Sequence, residues 1–286
     1  MTDLSDAKAL IDAGQGVQAQ ALLERASQAG NGDATHLLAT LGARGAWTVQ
    51  DWPRAFELLE LAAQQGSAEA IAELRLIGPT DDHGRLMLTP QREVLCESPR
   101  VRRIEGFLPA EVCHWLIERV RDRLAPAPVF YRTEGRAEAE TRVSSVRTNR
   151  ACVMSGFEGG VLMALIAERI AMVAGVPLVV LEPPQVLHYA VGQEFRPHAD
   201  YLQDDGGSQR IATFLVYLSE DFEGGETWFP HAELKARAST GGAVYFANVD
   251  RANRPDPMSM HAGLPPTRGE KWLLSQWIRD RPFVGD

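Results

Sequence analysis

Cysteine is scarce in this chain. Its three residues, Cys96, Cys113 and Cys152, lie far apart and in no paired spacing. That excludes a disulfide framework and a cysteine zinc site, and leaves small buried hydrophobes in a reducing compartment as the expectation. Positive charge is also short: the net charge of -9 argues against non-specific nucleic-acid binding, which needs a basic face. No apolar run approaches the length of a membrane span, so no membrane association is expected. The first residues, Met1-Thr2-Asp3-Leu4-Ser5-Asp6, lack the basic and apolar regions of a signal peptide, and the expected location is cytoplasmic. What remains is ordinary for a soluble globular protein, with 45% hydrophobic and 23% charged residues. A chain of 286 residues has room for about two domains.

The first segment repeats itself. Ala19-Gln20-Ala21-Leu22-Leu23-Glu24-Arg25-Ala26 returns as Ala55-Phe56-Glu57-Leu58-Leu59-Glu60-Leu61-Ala62, an offset of 36 that Asp33-Ala34 and Glu69-Ala70 keep. Ala- and Leu-rich periods of this size, each closed by a glycine (Gly30, Gly66), predict stacked helical hairpins over residues 1–78. The segment resembles tetratricopeptide-like repeats of the Sel-one subclass. Packing against the next domain and binding a partner protein both remain open for it. Its ten Asp and Glu against five Lys and Arg favour a basic partner surface.

Residues 79–92 have linker composition, and His83 there reads as a solvated loop residue. The second domain is expected over residues 93–286. A strand is predicted near 101–107, followed by a helix with Pro109 in its first turn and an apolar stripe of Val112, Trp115, Leu116, Val120 and Leu124. His114 falls off that stripe and should be exposed. Residues 126–150 are polar and read as a mobile loop, either solvated or a lid over substrate. A second helix is expected over about 158–174. Beyond Pro184 short strands are predicted at 185–191, 210–218, 226–229, 233–238, 243–248, 258–262 and 271–279. The fold class is therefore α+β: a jelly roll, with two helices covering one sheet, behind a small α-helical repeat domain.

One stretch organises the rest. Residues 185–200 end in His198-Ala199-Asp200, an imidazole and a carboxylate two residues apart. On a strand both would point to one face and reach one ion. His261, in Ser259-Met260-His261-Ala262-Gly263, supplies a third donor. Two His and one carboxylate suit non-haem Fe(II) and leave three coordination positions open. Lys271 follows ten residues later, and strand alternation puts Lys271, Leu273, Ser275 and Trp277 on one face. A buried lysine there needs an anion, which a dicarboxylic acid would supply. Tyr189 and Thr227 could line the same pocket. Each has a bland reading, as a surface Lys, a core Tyr and a strand Thr; their joint order argues otherwise.

From about Val94 onward the chain resembles the prolyl 4-hydroxylase family of Fe(II)/2-oxoglutarate dioxygenases. The matching pieces are Tyr189-x-x-Gly192-Gln193, Pro197-His198-x-Asp200-Tyr201, Gln209-Arg210-x-Ala212-Thr213, Gly224-Gly225-Glu226-Thr227, His261-Ala262-Gly263 and Gly269-x-Lys271-Trp272. The resemblance implies a double-stranded β-helix core, with His198, Asp200 and His261 as iron ligands. It implies Lys271 on the distal carboxylate of 2-oxoglutarate, helped by Tyr189 and Thr227, and Arg210 and Trp277 as contacts to a prolyl protein or peptide substrate. Fe(II), 2-oxoglutarate and O2 would be required, with ascorbate as an accessory, and succinate and CO2 released. Asp200 excludes the related halogenases, which leave that ligand position open. His188, His231 and His36 match no ligand position and read as structural or surface residues. Ser144 to Arg150 resembles the family's Arg-Thr stretch, with no role assigned to single residues. Three alternatives stay open: the same chemistry on another residue, a free amino acid as substrate, or a non-catalytic scaffold that binds partners through its repeats.

Overall fold

The computed structural model describes residues 3–78, 90–131, 140–142, 145–154, 157–202 and 207–283. Residues 79–89 of the linker expected at 79–92, with His83, and the loop residues 132–139 and 143–144 lie outside them, and Arg92 already belongs to a strand. The chain divides into two compact units, Met1–Leu88 with Ser155–Met172, and Thr89–Met154 with Val173–Asp286.

The first unit opens with α1 (Asp3–Asp12), α2 (Gly16–Gln28), α3 (Gly32–Arg44), α4 (Trp52–Gln64) and α5 (Ala68–Ile77). α4 and α5 begin 36 residues after α2 and α3, the offset seen in the sequence. Gly30 and Gly66 both take left-handed φ, +86° and +89°, which an L side chain adopts only with strain. The chain then restarts on a side-chain cap, with Asn31 accepting from the Ala34 N–H and Ser67 from the Ala70 N–H.

α6 (Ala110–Val120) belongs to the second unit, whereas α7 (Gly160–Ala174) groups through Met172 with the repeat helices. Glu73 on α5 ties the start of α7 to the repeat helices. Its fully buried carboxylate accepts from the N–H groups of Val161 (2.9 Å) and Leu162 (3.2 Å) at the start of α7. Those donors have no partner within their own helix. A Cβ at Gly160 would come 1.9 Å from Glu73 Oε1, so only glycine allows this approach. His36 Nε2 completes the cluster, 3.0 Å from the same carboxylate.

The second unit begins with β1 (Arg92–Glu97), β2 (Arg100–Ile104), β3 (Ala125–Pro126), β4 (Val129–Tyr131), β5 (Glu140–Arg142), β6 (Arg150–Val153), β7 (Gln185–Tyr189) and β8 (Phe195–His198). It continues through β9 (Arg210–Tyr217), β10 (Phe222–Gly224), β11 (Thr227–Phe229), β12 (Leu234–Ala236), β13 (Ala243–Ala247), β14 (His261–Gly263), β15 (Pro266–Gly269) and β16 (Lys271–Arg279). An eight-stranded sheet runs β1-β2-β13-β9-β16-β7-β6-β3, and a four-stranded sheet runs β12-β11-β14-β8. This is the expected jelly roll. Strand β14 starts at His261, later than expected, because Pro257–Ser259 forms a helical turn instead. Leu187, Leu215, Tyr217, Phe229, Phe246 and Leu273 form a buried cluster drawn from both sheets. Apolar area removed from water at about 25 cal/mol per Å² is what holds two such sheets face to face.

Candidate active site

Register brings the three expected metal donors together. β8 and β14 are antiparallel neighbours in the smaller sheet, and His198 lies directly opposite His261. Their rings stand 4.3 Å apart. Asp200 lies in the bend just beyond β8 rather than on the strand, so alternation along a strand is not what aims it. It is held instead by a 2.6 Å hydrogen bond from the Thr213 hydroxyl of β9 to its Oδ2. The His198 Nε2 lies 3.6 Å from Asp200 Oδ1, and the His261 Nε2 lies 3.6 Å from Oδ2. One donor atom from each of the three falls within 4.8 Å of the others.

The imidazoles are oriented as well as placed. His198 Nδ1 lies 2.8 Å from the Arg196 carbonyl, and His261 Nδ1 lies 3.1 Å from the Ser259 carbonyl. A carbonyl only accepts, so each Nδ1 carries the proton and each Nε2 turns a lone pair inward. Burial and the neighbouring His198 push His261 down to about 4, which keeps it neutral near pH 7. Burial pushes the Asp200 carboxyl up, but the two imidazoles and Arg210 outweigh it and hold it below the usual carboxylate range. Phe195 stacks on His198 at 3.5 Å, and Phe246 meets His261 edge-on at 4.5 Å.

Beside the triad lies an orphaned cation. Lys271 is fully buried, and its Nζ has no hydrogen-bond partner among the described residues. β16 pairs with β7 so that Lys271 faces Tyr189, whose ring lies 4.9 Å from Nζ; the Tyr217 ring lies 5.8 Å away. Burial pushes the ammonium down to about 7 and the phenols of Tyr189 and Tyr217 up to about 12. One pocket is lined by His198, Asp200, His261, Lys271, Tyr189 and Thr227. Leu273, Ser275 and Trp277 line it too, which is the β16 face expected from alternation.

Residues 184–279 match the 2OG-Fe(II) oxygenase superfamily. Over 207 residues the chain is 33% identical to Prolyl 4-hydroxylase 1 of Arabidopsis thaliana, spanning 66% of this chain and 72% of the relative. Prolyl 4-hydroxylase 5 of the same plant is 33% identical over 215 residues, spanning 67% and 72%. Among solved structures, the viral collagen prolyl hydroxylase vCPH from Paramecium Bursaria Chlorella virus-1, in its 2OG complex, shares 27% identity. It aligns with a TM-score of 0.50 over 65% of this chain and 98% of that one.

This chain belongs to the prolyl 4-hydroxylase family of 2OG-Fe(II) oxygenases. Membership implies Fe(II), 2-oxoglutarate and O2, and the pocket fits them. Two imidazoles with Nε2 turned inward and a carboxylate suit a borderline divalent metal. An ammonium buried without a partner is costly, and a cofactor carboxylate would supply the missing anion.

Within this 2OG-Fe(II) oxygenase the other expected residues fall in different places. Trp277 lines the pocket, but Arg210 is not among the lining residues. Its guanidinium stacks 3.5 Å from the Trp277 ring centroid, and its fork closes on Glu182 at 2.6 and 2.8 Å. Arg279 reaches the same carboxylate at 2.5 Å. Thr227 lines the pocket with its hydroxyl 3.0 Å from the Tyr217 hydroxyl, which also donates to the Ala236 carbonyl. His188 points to the opposite face of β7 as expected, its ring tilted against Trp272 at 4.3 Å and its Nε2 3.3 Å from Glu270. His114 and His231 are exposed.

Sequence reasoning passed over Arg147, a buried lining residue. Its Nε donates to Asn149 and its Nη1 to the Pro128 carbonyl, with the guanidinium 4.7 Å from the Phe195 ring. The Arg-Thr stretch was the available signal, but nothing in it separates Arg147 from Arg150. Tyr217 was also passed over; its position on the Thr213-Leu215-Tyr217 alternation of β9 was the signal.

Proposed function

We propose that this oxygenase hydroxylates a proline held in a protein or peptide chain. His198, Asp200 and His261 hold Fe(II), and Lys271, with Tyr189 and Thr227, holds 2-oxoglutarate. The observation that carries this reading is the unpartnered, buried Lys271 ammonium in one pocket with two inward-facing imidazoles and a carboxylate. An anion with metal-chelating oxygens at its other end satisfies both at once.

The chain's own residues supply binding and orientation. The Arg196 and Ser259 carbonyls hold the His protons at Nδ1 and keep Nε2 free to ligate. Thr213 keeps the Asp200 carboxylate turned toward them. Lys271 pairs with the distal carboxylate, in surroundings dry enough to make the pair strong. Leu187, Leu215 and Leu273 exclude water from the pocket. Trp277 gives a flat apolar wall suited to a pyrrolidine ring, and Arg210 and Glu182 behind it fix that wall. When bound, iron supplies the oxidising chemistry that turns 2-oxoglutarate into succinate and CO2 and inserts oxygen into a C–H bond. Ascorbate belongs to this reading as an accessory reductant, and its test is whether turnover decays faster without it.

The N-terminal helices fit tetratricopeptide-like repeats, supported by the 36-residue offset of their starts and their matching caps. Their acidic balance favours a basic partner, and the cytoplasm is the compartment in keeping with three free cysteines. Incubation of the purified chain with Fe(II), 2-oxoglutarate and a set of proline-containing peptides tests the reading. The expected result is succinate together with a +16 shift on proline. Free proline turned over with the higher catalytic efficiency would refute the peptidyl substrate.

A further inference from the structure

We propose that Thr213 and Asn248 form a one-way hydrogen-bond relay that commits one oxygen of Asp200 to the protein and leaves the other for the metal. The inference rests on the ligand set proposed above. It starts from Asn248, a fully buried residue just past β13. Its backbone is pinned on both sides: the Asn248 N–H donates to the Ile211 carbonyl at 2.8 Å, and its carbonyl accepts from the Asp256 N–H at 3.0 Å. The side chain is therefore delivered to a fixed place.

The direction of the relay follows from donor and acceptor counting. Asn248 Nδ2 reaches the Arg210 carbonyl at 3.2 Å and Thr213 Oγ1 at 3.1 Å. An amide oxygen turned toward the Arg210 carbonyl would set two acceptors against each other, so the nitrogen must be the atom there. Thr213 Oγ1 thus accepts from Asn248. A hydroxyl has one proton, and that proton is left for Asp200 Oδ2, 2.6 Å away. The contact is a short, charge-assisted bond, and the amide behind it polarises the hydroxyl further. Asn248 Oδ1 is buried with no hydrogen-bond partner among the described residues. The amide keeps that unfavourable orientation because its NH2 end is engaged on two acceptors.

The consequence is a coordination number. A carboxylate using both oxygens would occupy two positions around an ion. Each carboxylate oxygen lies 3.6 Å from one imidazole Nε2, Oδ1 from His198 and Oδ2 from His261, so distance does not choose between them; with Oδ2 engaged by Thr213, Asp200 offers Oδ1. Two imidazoles and one oxygen would then hold the ion and leave room around it for 2-oxoglutarate and O2. Thr213 and Asn248 are positioning residues: they act on the metal only through Asp200.

The test is anaerobic Fe(II) titration of the full-length, metal-stripped protein, with thermal melting as the folding control. Thr213→Val keeps the shape and removes the donor; it should weaken Fe(II) binding about 10- to 100-fold. Thr213→Ser restores the hydroxyl and should return the affinity. Asn248→Leu frees the hydroxyl to rotate, and should weaken Fe(II) less than Thr213→Val while altering the charge-transfer absorption of the Fe(II)/2-oxoglutarate complex. Should Thr213→Val fail to fold, Asn248→Leu carries the decision. Parent-like Fe(II) affinity and absorption in whichever of these variants folds overturns the relay. Asp200→Ala separates the two levels. If it loses Fe(II) while the relay variants bind as the parent does, only the relay is wrong. If it binds Fe(II) as the parent does, the ligand set itself is wrong.

Discussion

His198 and His261 are cross-strand partners, paired across β8 and β14 although 63 residues separate them in the chain. The pairing explains why the metal donors lie so far apart in sequence. An antiparallel neighbour places opposite residues with Cβ atoms about 4.5–5.5 Å apart, which is the separation two ligands of one ion need. Substituting any one donor should therefore leave the sheet intact and remove the ion. His198→Ala, Asp200→Ala and His261→Ala are each expected to lower Fe(II) affinity at least tenfold and abolish succinate production, with a melting curve close to the parent's. Titration of Fe(II) alongside a succinate assay checks this, and a variant that keeps full iron-dependent turnover would remove its residue from the ligand set.

Lys271→Ala separates cofactor binding from metal binding. The ammonium is fully buried and lies beside the triad rather than within the donor cluster. Its loss should raise the 2-oxoglutarate concentration needed for half-maximal turnover by about 10- to 100-fold, because a charge-assisted pair in a dry pocket is lost. Fe(II) affinity without 2-oxoglutarate should change little. An unchanged 2-oxoglutarate requirement would move the cofactor carboxylate elsewhere.

The same residue gives cofactor binding a pH dependence. Burial holds the Lys271 ammonium down to about 7, with Glu226 pulling it back up and Arg237 pushing it further down. The group is already charged below about pH 7, but above that it must take up a proton when a dianion binds. The apparent affinity for 2-oxoglutarate should fall as pH rises past 7, by up to about tenfold per pH unit. Stability of the empty protein runs the other way. Between about 7 and 10.5 the unfolded chain holds more protons than the folded one, so this group's contribution grows as pH rises and is lost as pH falls through 7. Calorimetric titration in two buffers of different ionisation enthalpy reads the proton uptake directly; the same binding heat in both at pH 8 would contradict it.

The recognition of the site from the sequence rested on order. His198, Asp200, His261, Lys271 and Trp277 were legible through the order of the motifs, with strand alternation placing Lys271 and Trp277 on one face, and each lines the pocket. Arg210 lies against the Trp277 ring with its fork closed on Glu182, 28 residues upstream, and no local pattern announces that partner. Thr213 stood in a matched stretch without a role, and Asn248 went unread: a threonine on a strand looks the same whether or not it donates to a carboxylate on another element. The fold was legible at the level of layers, through short strands and the glycine-punctuated repeat. The grouping of α7 with the repeat helices was not, because Glu73 reads as one more acidic residue on an acidic helix.

Glu73 is the residue through which that grouping can be tested. It satisfies two free N–H groups of α7 and a histidine from a site with no access to water. Glu73→Ala leaves those donors buried and unpaired, and should cost roughly 2–4 kcal/mol of stability. Glu73→Gln keeps one acceptor oxygen and should cost less. Thermal or urea melts of the two variants check the order; a Glu73→Ala protein as stable as the parent would mean that water reaches the start of α7.

The central claim is that one pocket couples 2-oxoglutarate oxidation to hydroxylation of a peptidyl proline. The most direct measurement follows both products in one reaction, succinate by chromatography and hydroxyproline by tandem mass spectrometry, on a peptide with a single proline. The account predicts that the two rise together at close to one to one, and that both vanish in Asp200→Ala. Succinate released without any oxygen gained by proline, on peptides that the protein binds, would contradict it.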